Sequence, residues 1–472
     1  YNNQPTVAAE DIDLAAASTA ARIGYQFNIA SLVQKWHTGE NYGVVVDARE
    51  DGVDIQAYTT NEYPYIVITY AGQAGLEEYF TYESHSIGRA GAAHVNLFNG
   101  NLVFEHVDTA TNGSRMPVSL SHYYNSCYRD LNIFSAGFGW KHSMHKTMHV
   151  DGGYFIYTDG DGTRHNFMIA AKADPYRGTA YEDMSGLSLK MQVTGTTLST
   201  NTIYDKKDNF IKFVNLNNAN VTGRDTQYCL ISEAGDASGN KVTMRLASKV
   251  VGGISYPSIE TITDGVGRVT SLPVNAQGLL DKIKAPGYEA TGLAFTYDGS
   301  NRLTEITYED GLSTRFTYDN LNLLTSVTNH DGRKLTIEYE AYAPYRVKRV
   351  TESNGETVGN RREYSYSHLT TTVTDRTVPG GKQLFYAFNT SGNLISAHDL
   401  LGHAMVANFT AEEPINHPKS ISKKMRAVVN LLRNHGFETS KHWLLAGPAR
   451  FESQNQQMGE RCPDAAVIGT TT

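Results

Sequence analysis

Tyr297, Tyr318 and Tyr339 stand 21 residues apart, and each closes a near-copy of one pattern. The first unit runs Phe295-Thr296-Tyr297-Asp298, then Asn301-Arg302-Leu303, Ile306 and Asp310-Gly311. The second runs Phe316-Thr317-Tyr318-Asp319, then Leu323-Leu324, Val327 and Asp331-Gly332, and the third opens at Leu335-Thr336-Ile337-Glu338-Tyr339. A fixed period carried by an aromatic, an apolar pair and an Asp-Gly turn is the mark of a repeat architecture. Each unit amounts to two short strands and a tight turn. Such a unit cannot bury its own face, so neighbours must stack into a continuous sheet. The pattern therefore predicts an all-β array over residues 256–400, with frayed copies at Asp264-Gly265, Tyr364-Ser365-Tyr366 and Phe388-Asn389.

The rest of the chain agrees with an all-β reading. The sequence has 472 residues, enough for more than one structural unit, with 42 Gly and 29 Tyr. Its net charge of −8 is dispersed, which argues against nucleic acid or a membrane surface as partner, since both need clustered Lys and Arg. The short basic run from Lys419 to Arg426 reads as a solvated connector. Cys127, Cys229 and Cys462 lie far apart and define no disulfide framework. No run of about 18 apolar residues is long enough to span a bilayer. The opening Tyr1-Asn2-Asn3-Gln4 carries neither an initiator Met nor a signal-peptide pattern, so the chain is expected to be part of a longer product.

Residues 1–70 show short strands at Tyr42–Val46 and Tyr65–Tyr70. Residues 76–250 alternate β-runs with Gly, Asn and Asp turns, including hairpins at Asn99-Gly100-Asn101 and Asp159-Gly160-Asp161-Gly162. Residues 410–472 are a linker followed by a low-order tail.

The repeat residues resemble the YD repeats of the Rhs family of bacterial surface and toxin-delivery proteins. Tyr297-Asp298, Asn301-Arg302-Leu303, Ile306 and Asp310-Gly311 match that pattern; Tyr318-Asp319 matches, but Asn322-Leu323 replaces the Arg step, and Tyr339 has lost its Asp. Gly88-Arg89-Ala90-Gly91, Met116-Pro117-Val118, Gly137-Phe138-Gly139-Trp140 and Asp161-Gly162-Thr163 resemble the leader that introduces such repeats. Phe27-Asn28-Ile29, Leu32 to Trp36 and Asn41-Tyr42-Gly43 resemble the end of a DNRLRE-type β-sandwich. Asn430-Leu431-Leu432, Gly436-Phe437-Glu438 and Trp443 resemble the start of a truncated carbohydrate-binding module. The resemblance implies a partial β-sandwich followed by a curled, spiralling Rhs shell. It further implies an extracellular or cell-surface bacterial protein.

No catalytic constellation stands out. His142, His145, His149 and His165 cluster in sequence, but a zinc site needs three or four converging ligands. On one strand His145 and His149 would share a face with His142 opposed. Asp159-Gly160-Asp161-Gly162 lacks the further acidic ligands of a calcium loop and reads as a turn. No nucleophile elbow, phosphate loop or metalloprotease motif is present. Neither enzymatic activity nor a cofactor is expected. The structural residues are Tyr297, Asp298, Arg302, Leu303, Gly311, Tyr318, Asp319, Leu324, Gly332 and Tyr339, with the tyrosines expected to stack rung on rung. Trp36 and Tyr42 are candidates for stacking on a sugar, whereas Trp140 reads as core. The expected role is a scaffold that presents or encloses an effector domain of the same polypeptide. The alternatives are an adhesin for cell-wall or host polysaccharide and the accessory region of a glycan-active enzyme.

Overall fold

The computed structural model describes residues 74–409 except 114, 133–134, 152–153, 169–177, 183–188, 195–199, 216–228, 252–253, 343 and 356, together with 418–424, 450–451 and 466–467. The chain divides into two units, Tyr1–Ile68 and Thr69–Thr472, and every described residue belongs to the second. The DNRLRE-like segment, with Trp36 and Tyr42, lies outside the described residues, as does Trp443. Among the described residues regular structure is β-strand, apart from two single-turn 3-10 helices at Gly88–Ala90 and Ser126–Tyr128. The all-β reading holds.

Three large antiparallel sheets carry the fold. The first has five strands in sequence order: Tyr82–Ser86, Ala92–Asn96, Leu102–Ala110, Ser119–Asn125 and Trp140–His142. The second has eleven strands from Thr147–Asp151 to Val269–Ser271. It runs across residues 250–256, where the sequence placed the change from leader to array. The third has thirteen strands in strict sequence order, from Lys282–Ile283 to Pro418–Lys424, and contains the repeats. Its last strand absorbs most of the basic run read as a connector. Lys419, Lys423 and Lys424 lie exposed along that edge, where lysines discourage pairing with another chain.

The repeat pattern explains the strand geometry. Phe295 and Tyr297 are two apart and share a face, as a strand requires. Leu303 and Ile306 are three apart, which on a regular strand would send them to opposite faces. A bulge resolves the conflict: Thr296 pairs with Glu305 and Tyr297 with Leu303, leaving Thr304 unmatched. Leu303 and Ile306 are then both fully buried. The same shift recurs between Thr317 and Tyr318, between Glu338 and Tyr339, and between Ala387 and Phe388.

One face of this wall is the core, and the five-stranded sheet packs on it. Phe316 meets Phe104 at 5.9 Å and Trp140 at 5.0 Å between ring centroids, both edge to face. Phe104 and Trp140 are buried with Leu303, Leu324, Val327, Leu335 and Val350 in one cluster. Each such side chain contributes about 1.5–3 kcal/mol by leaving water. Neither sheet could keep this apolar face without the other.

Candidate functional site

The repeat tyrosines do not stack on one another. No ring contact joins Tyr297, Tyr318 and Tyr339 among the described residues. Instead each hydroxyl donates to a main-chain carbonyl of the preceding unit: Tyr297 to Leu280 at 3.0 Å, Tyr318 to Leu303 at 2.6 Å and Tyr339 to Leu324 at 3.0 Å. Tyr366 does the same to Val347 at 2.8 Å, so the looser copy seen in sequence keeps the bond while losing the spacing. Burial drives the hydroxyls of Tyr297, Tyr318, Tyr339 and Tyr366 well above the ordinary phenol range, and they remain donors. Leu303 and Leu324 therefore serve twice, with a side chain in the core and a carbonyl that locks the next unit.

The aspartate after each tyrosine builds the turn. Asp298 accepts from the backbone N–H of Ser300 at 2.9 Å and of Arg302 at 3.0 Å, and from Arg302 Nε at 2.7 Å. The slight burial of Asp298 pushes its carboxyl up, but the N–H groups of Arg302 and Ser300 outweigh it and hold the group below the usual carboxylate range. Arg302 then reaches on to the Asp319 carbonyl at 2.9 Å, linking consecutive turns. Asp319 repeats the pattern with Leu321 and Leu323. The fourth residue of each turn is left-handed, Asn301 at φ 61° and Asn322 at φ 60°, a conformation that Asn and Gly tolerate. Gly311 and Gly332 occupy the equivalent place in the turns on the other rim, at φ 81° and 84°.

The same five-residue turn, with an Asx side chain bonding the second and fourth following N–H groups, also begins at Asp205, Asp236, Asp264, Asn275, Asn389 and Asp399. The copies at Asp205 and Asp236 lie in the second sheet, upstream of the array that the sequence delimited. The signal that could have found them is Asx followed three residues later by Gly, Asn or Asp, with no demand for tyrosine.

Polar groups of the leader read the wall unit by unit. Trp140 Nε1 donates to the Tyr318 hydroxyl at 2.7 Å. The Tyr124 hydroxyl donates to the Asn322 carbonyl at 2.9 Å and accepts from the Leu324 N–H at 3.1 Å. The Phe138 N–H donates to the Asn301 carbonyl at 3.2 Å, and the Val347 N–H to the Gly100 carbonyl at 2.9 Å. Arg89 pairs with Asp310 at 2.5 Å and lies 3.7 Å over the Tyr308 ring. His85 bridges Glu352 at 3.0 Å and the Tyr364 hydroxyl at 2.8 Å. Leader and wall are one structural site.

The histidine cluster is arranged differently from the single strand expected of it. A turn at 143–146 separates Trp140–His142 of the first sheet from Thr147–Asp151 of the second. His142 therefore does not oppose His145; their rings are 5.2 Å apart. No group of three or more His, Cys, Asp or Glu side chains placed to hold a metal is found among the described residues. Asp159-Gly160-Asp161-Gly162 is the turn joining Tyr154–Thr158 to Arg164–Met168. Its Asp161 carboxylate faces inward to accept from the Leu76 N–H at 2.8 Å and the Thr163 N–H at 2.9 Å.

Sequential antiparallel strands, with one Asx turn and one tyrosine-to-carbonyl bond per unit, define a β-repeat wall protein. Residues 297–334 match the RHS repeat, and residues 92–167 match a domain of unknown function, DUF6531. Residues 297–334 thus carry the repeat that the Tyr-Asp pattern led us to expect. Among solved structures it is similar to a TcdB2-TccC3 crystal structure, at 11% identity and a TM-score of 0.27, over 73% of this chain and 17% of that one. It is also similar to the Photorhabdus luminescens Tc holotoxin pore, at 10% identity and a TM-score of 0.29, over 79% of this chain and 21% of that one. The chain thus spans about a fifth of the length of those chains. No curated protein matches it.

Proposed function

We propose that the chain is the scaffold section of a secreted or cell-surface protein, a wall that presents or encloses an effector domain of the same polypeptide and catalyses no reaction itself. The observation that carries this reading is the unbroken sequence order of thirteen strands, packed on one face against the leader sheet. Main-chain groups, tyrosine hydroxyls and turn carboxylates are committed to holding that order. Trp140, Tyr124, His85 and Arg89 of the leader are likewise spent on groups of the wall, which is what a scaffold needs.

Limited proteolysis of the whole chain with mass mapping, joined to an assay for glycan turnover, tests the proposal. The expected result is one resistant core holding the leader strands and the wall together, with no sugar released from peptidoglycan or polysaccharide. Separation of leader and wall into independently eluting fragments overturns the scaffold reading, and release of a sugar product overturns its non-enzymatic part.

A further inference from the structure

Three histidines of the five-stranded sheet stand directly opposite one another on adjacent strands. His106 faces His122, and His122 faces His142. All three are buried. A bulge between Val107 and Thr109 leaves Asp108 unmatched by the neighbouring strand, a device that re-aims a side chain. The Asp108 carboxylate has no solvent exposure and joins two of the histidines, His106 Nδ1 at 2.8 Å and His122 Nδ1 at 2.5 Å. From the wall, the Tyr308 hydroxyl meets His106 Nε2 at 3.1 Å, and the Phe295 ring lies 4.7 Å from that of His122. The titratable and charged groups facing the row are Asp108, Lys141, His145, Tyr297 and Tyr308.

This row has room for one positive charge. Both ring nitrogens of His106 have an acceptor within reach, Asp108 at Nδ1 and the Tyr308 oxygen at Nε2, while the Tyr308 hydroxyl lies 2.7 Å from Thr314 Oγ1 and 3.3 Å from the Arg89 carbonyl. His122 gives its Nδ1–H to the same carboxylate, but its Nε2 is buried with no partner, as is Nδ1 of His142. A proton added at either atom would be a buried charge without an acceptor. We propose that the His106–His122–His142 row is an acid-operated latch between the leader sheet and the wall, closed while the row holds at most the one charge that Asp108 balances and opened when a second histidine is protonated.

The electrostatics run in the same sense. Burial is the main cause that pushes His142 down to about 3 from its ordinary 6.5. Burial raises the Asp108 carboxyl, but His122 and His106 outweigh it and hold the group below its ordinary range. A histidine depressed in the closed form contributes stability that is complete above 6.5 and is lost as pH falls from there toward 3. One such proton shifts the closed-to-open ratio about tenfold per pH unit within that window.

Peptide-level hydrogen exchange of the full chain at pH 7 and pH 5, corrected for intrinsic rates, tests the latch. The expected result at pH 5 is at least a tenfold rise in opening of the strands Leu102–Ala110, Ser119–Asn125 and Leu293–Tyr297, with Lys382–Phe388 unchanged. In H142N the rise should shrink severalfold. Because H142N could fail to fold, imidazole C2–H exchange in the unsubstituted chain supplies a second reading, with a His142 midpoint at least one pH unit below 6.5. Unchanged exchange between pH 7 and 5, an undiminished rise in folded H142N, or a His142 midpoint near 6.5 overturns the latch.

Discussion

The indole N–H of Trp140 donates to the hydroxyl of Tyr318 at 2.7 Å, and that hydroxyl donates in turn to the Leu303 carbonyl at 2.6 Å. One oxygen thus joins the leader sheet, one repeat and the repeat before it. Tyr339 makes only the second kind of bond, to Leu324 at 3.0 Å. Tyr318→Phe leaves two buried groups without a partner, whereas Tyr339→Phe leaves one. Each orphaned group costs about 1–3 kcal/mol. Urea denaturation should therefore show Tyr318→Phe losing roughly twice the stability of Tyr339→Phe. Equal losses would mean that the Trp140 bond adds nothing.

The two rims of the wall should differ in their tolerance of a methyl group. Gly311 is left-handed at φ 81° and a Cβ there meets nothing within 4 Å. Gly392 has nearly the same φ, 84°, but a Cβ would lie 2.1 Å from the Phe80 ring, with Phe98 at 2.9 Å. Gly311→Ala should cost only the left-handed penalty, about 1–2 kcal/mol. Gly392→Ala adds overpacking of about 1–3 kcal/mol. Thermal melts of the two variants should separate them by several degrees, with Gly392→Ala the lower.

A buried carboxyl at the start of the described chain sets an alkaline limit. Burial is the main cause that raises Glu77 from 4.5 to about 8, and the nearby Asp161 adds to it. The unfolded chain ionises this group near 4.5 and the folded chain only near 8. Stability is therefore complete below 4.5, falls between 4.5 and about 8, and is level beyond, at about 1.4 kcal/mol per pH unit within the window. Glu77→Gln removes the titration. Its melting temperature relative to the unsubstituted protein should rise from pH 5 to pH 8.5, and a constant difference across that range would rule the effect out.

Much of the wall was legible in the sequence because its signals are local. The Asp-Gly and Asn turns, and Phe and Tyr two apart, dictate strands that meet at fixed turns. The bulge that brings Leu303 and Ile306 to one face was not read from their spacing, because period-two reasoning alone does not place it. The direction of the tyrosine side chains was misread, since a spacing says that Tyr297 and Tyr318 recur but not that a carbonyl of the preceding unit takes each hydroxyl. The leader–wall seam was not legible at all. His106, Asp108, Tyr308 and Phe295 are brought together across about 200 residues of chain, and neither a period nor a motif connects them.

The turn carboxylates supply the last test, because their role is separable from their charge. Asp319 accepts from the N–H groups of Leu321 at 2.8 Å and Leu323 at 2.9 Å through a single oxygen, Oδ1. An Asn amide oxygen can occupy the same place, whereas Ala leaves both donors to water. Asp319→Asn should stay within about 0.5 kcal/mol of the unsubstituted protein, and Asp319→Ala should lose about 1–2 kcal/mol, the usual worth of an Asx cap. Equilibrium unfolding of the pair measures the difference. If Asn and Ala prove equally destabilising, the carboxylate acts through its charge, with Arg302 as the partner to examine, since its guanidinium already reaches the Asp319 carbonyl at 2.9 Å.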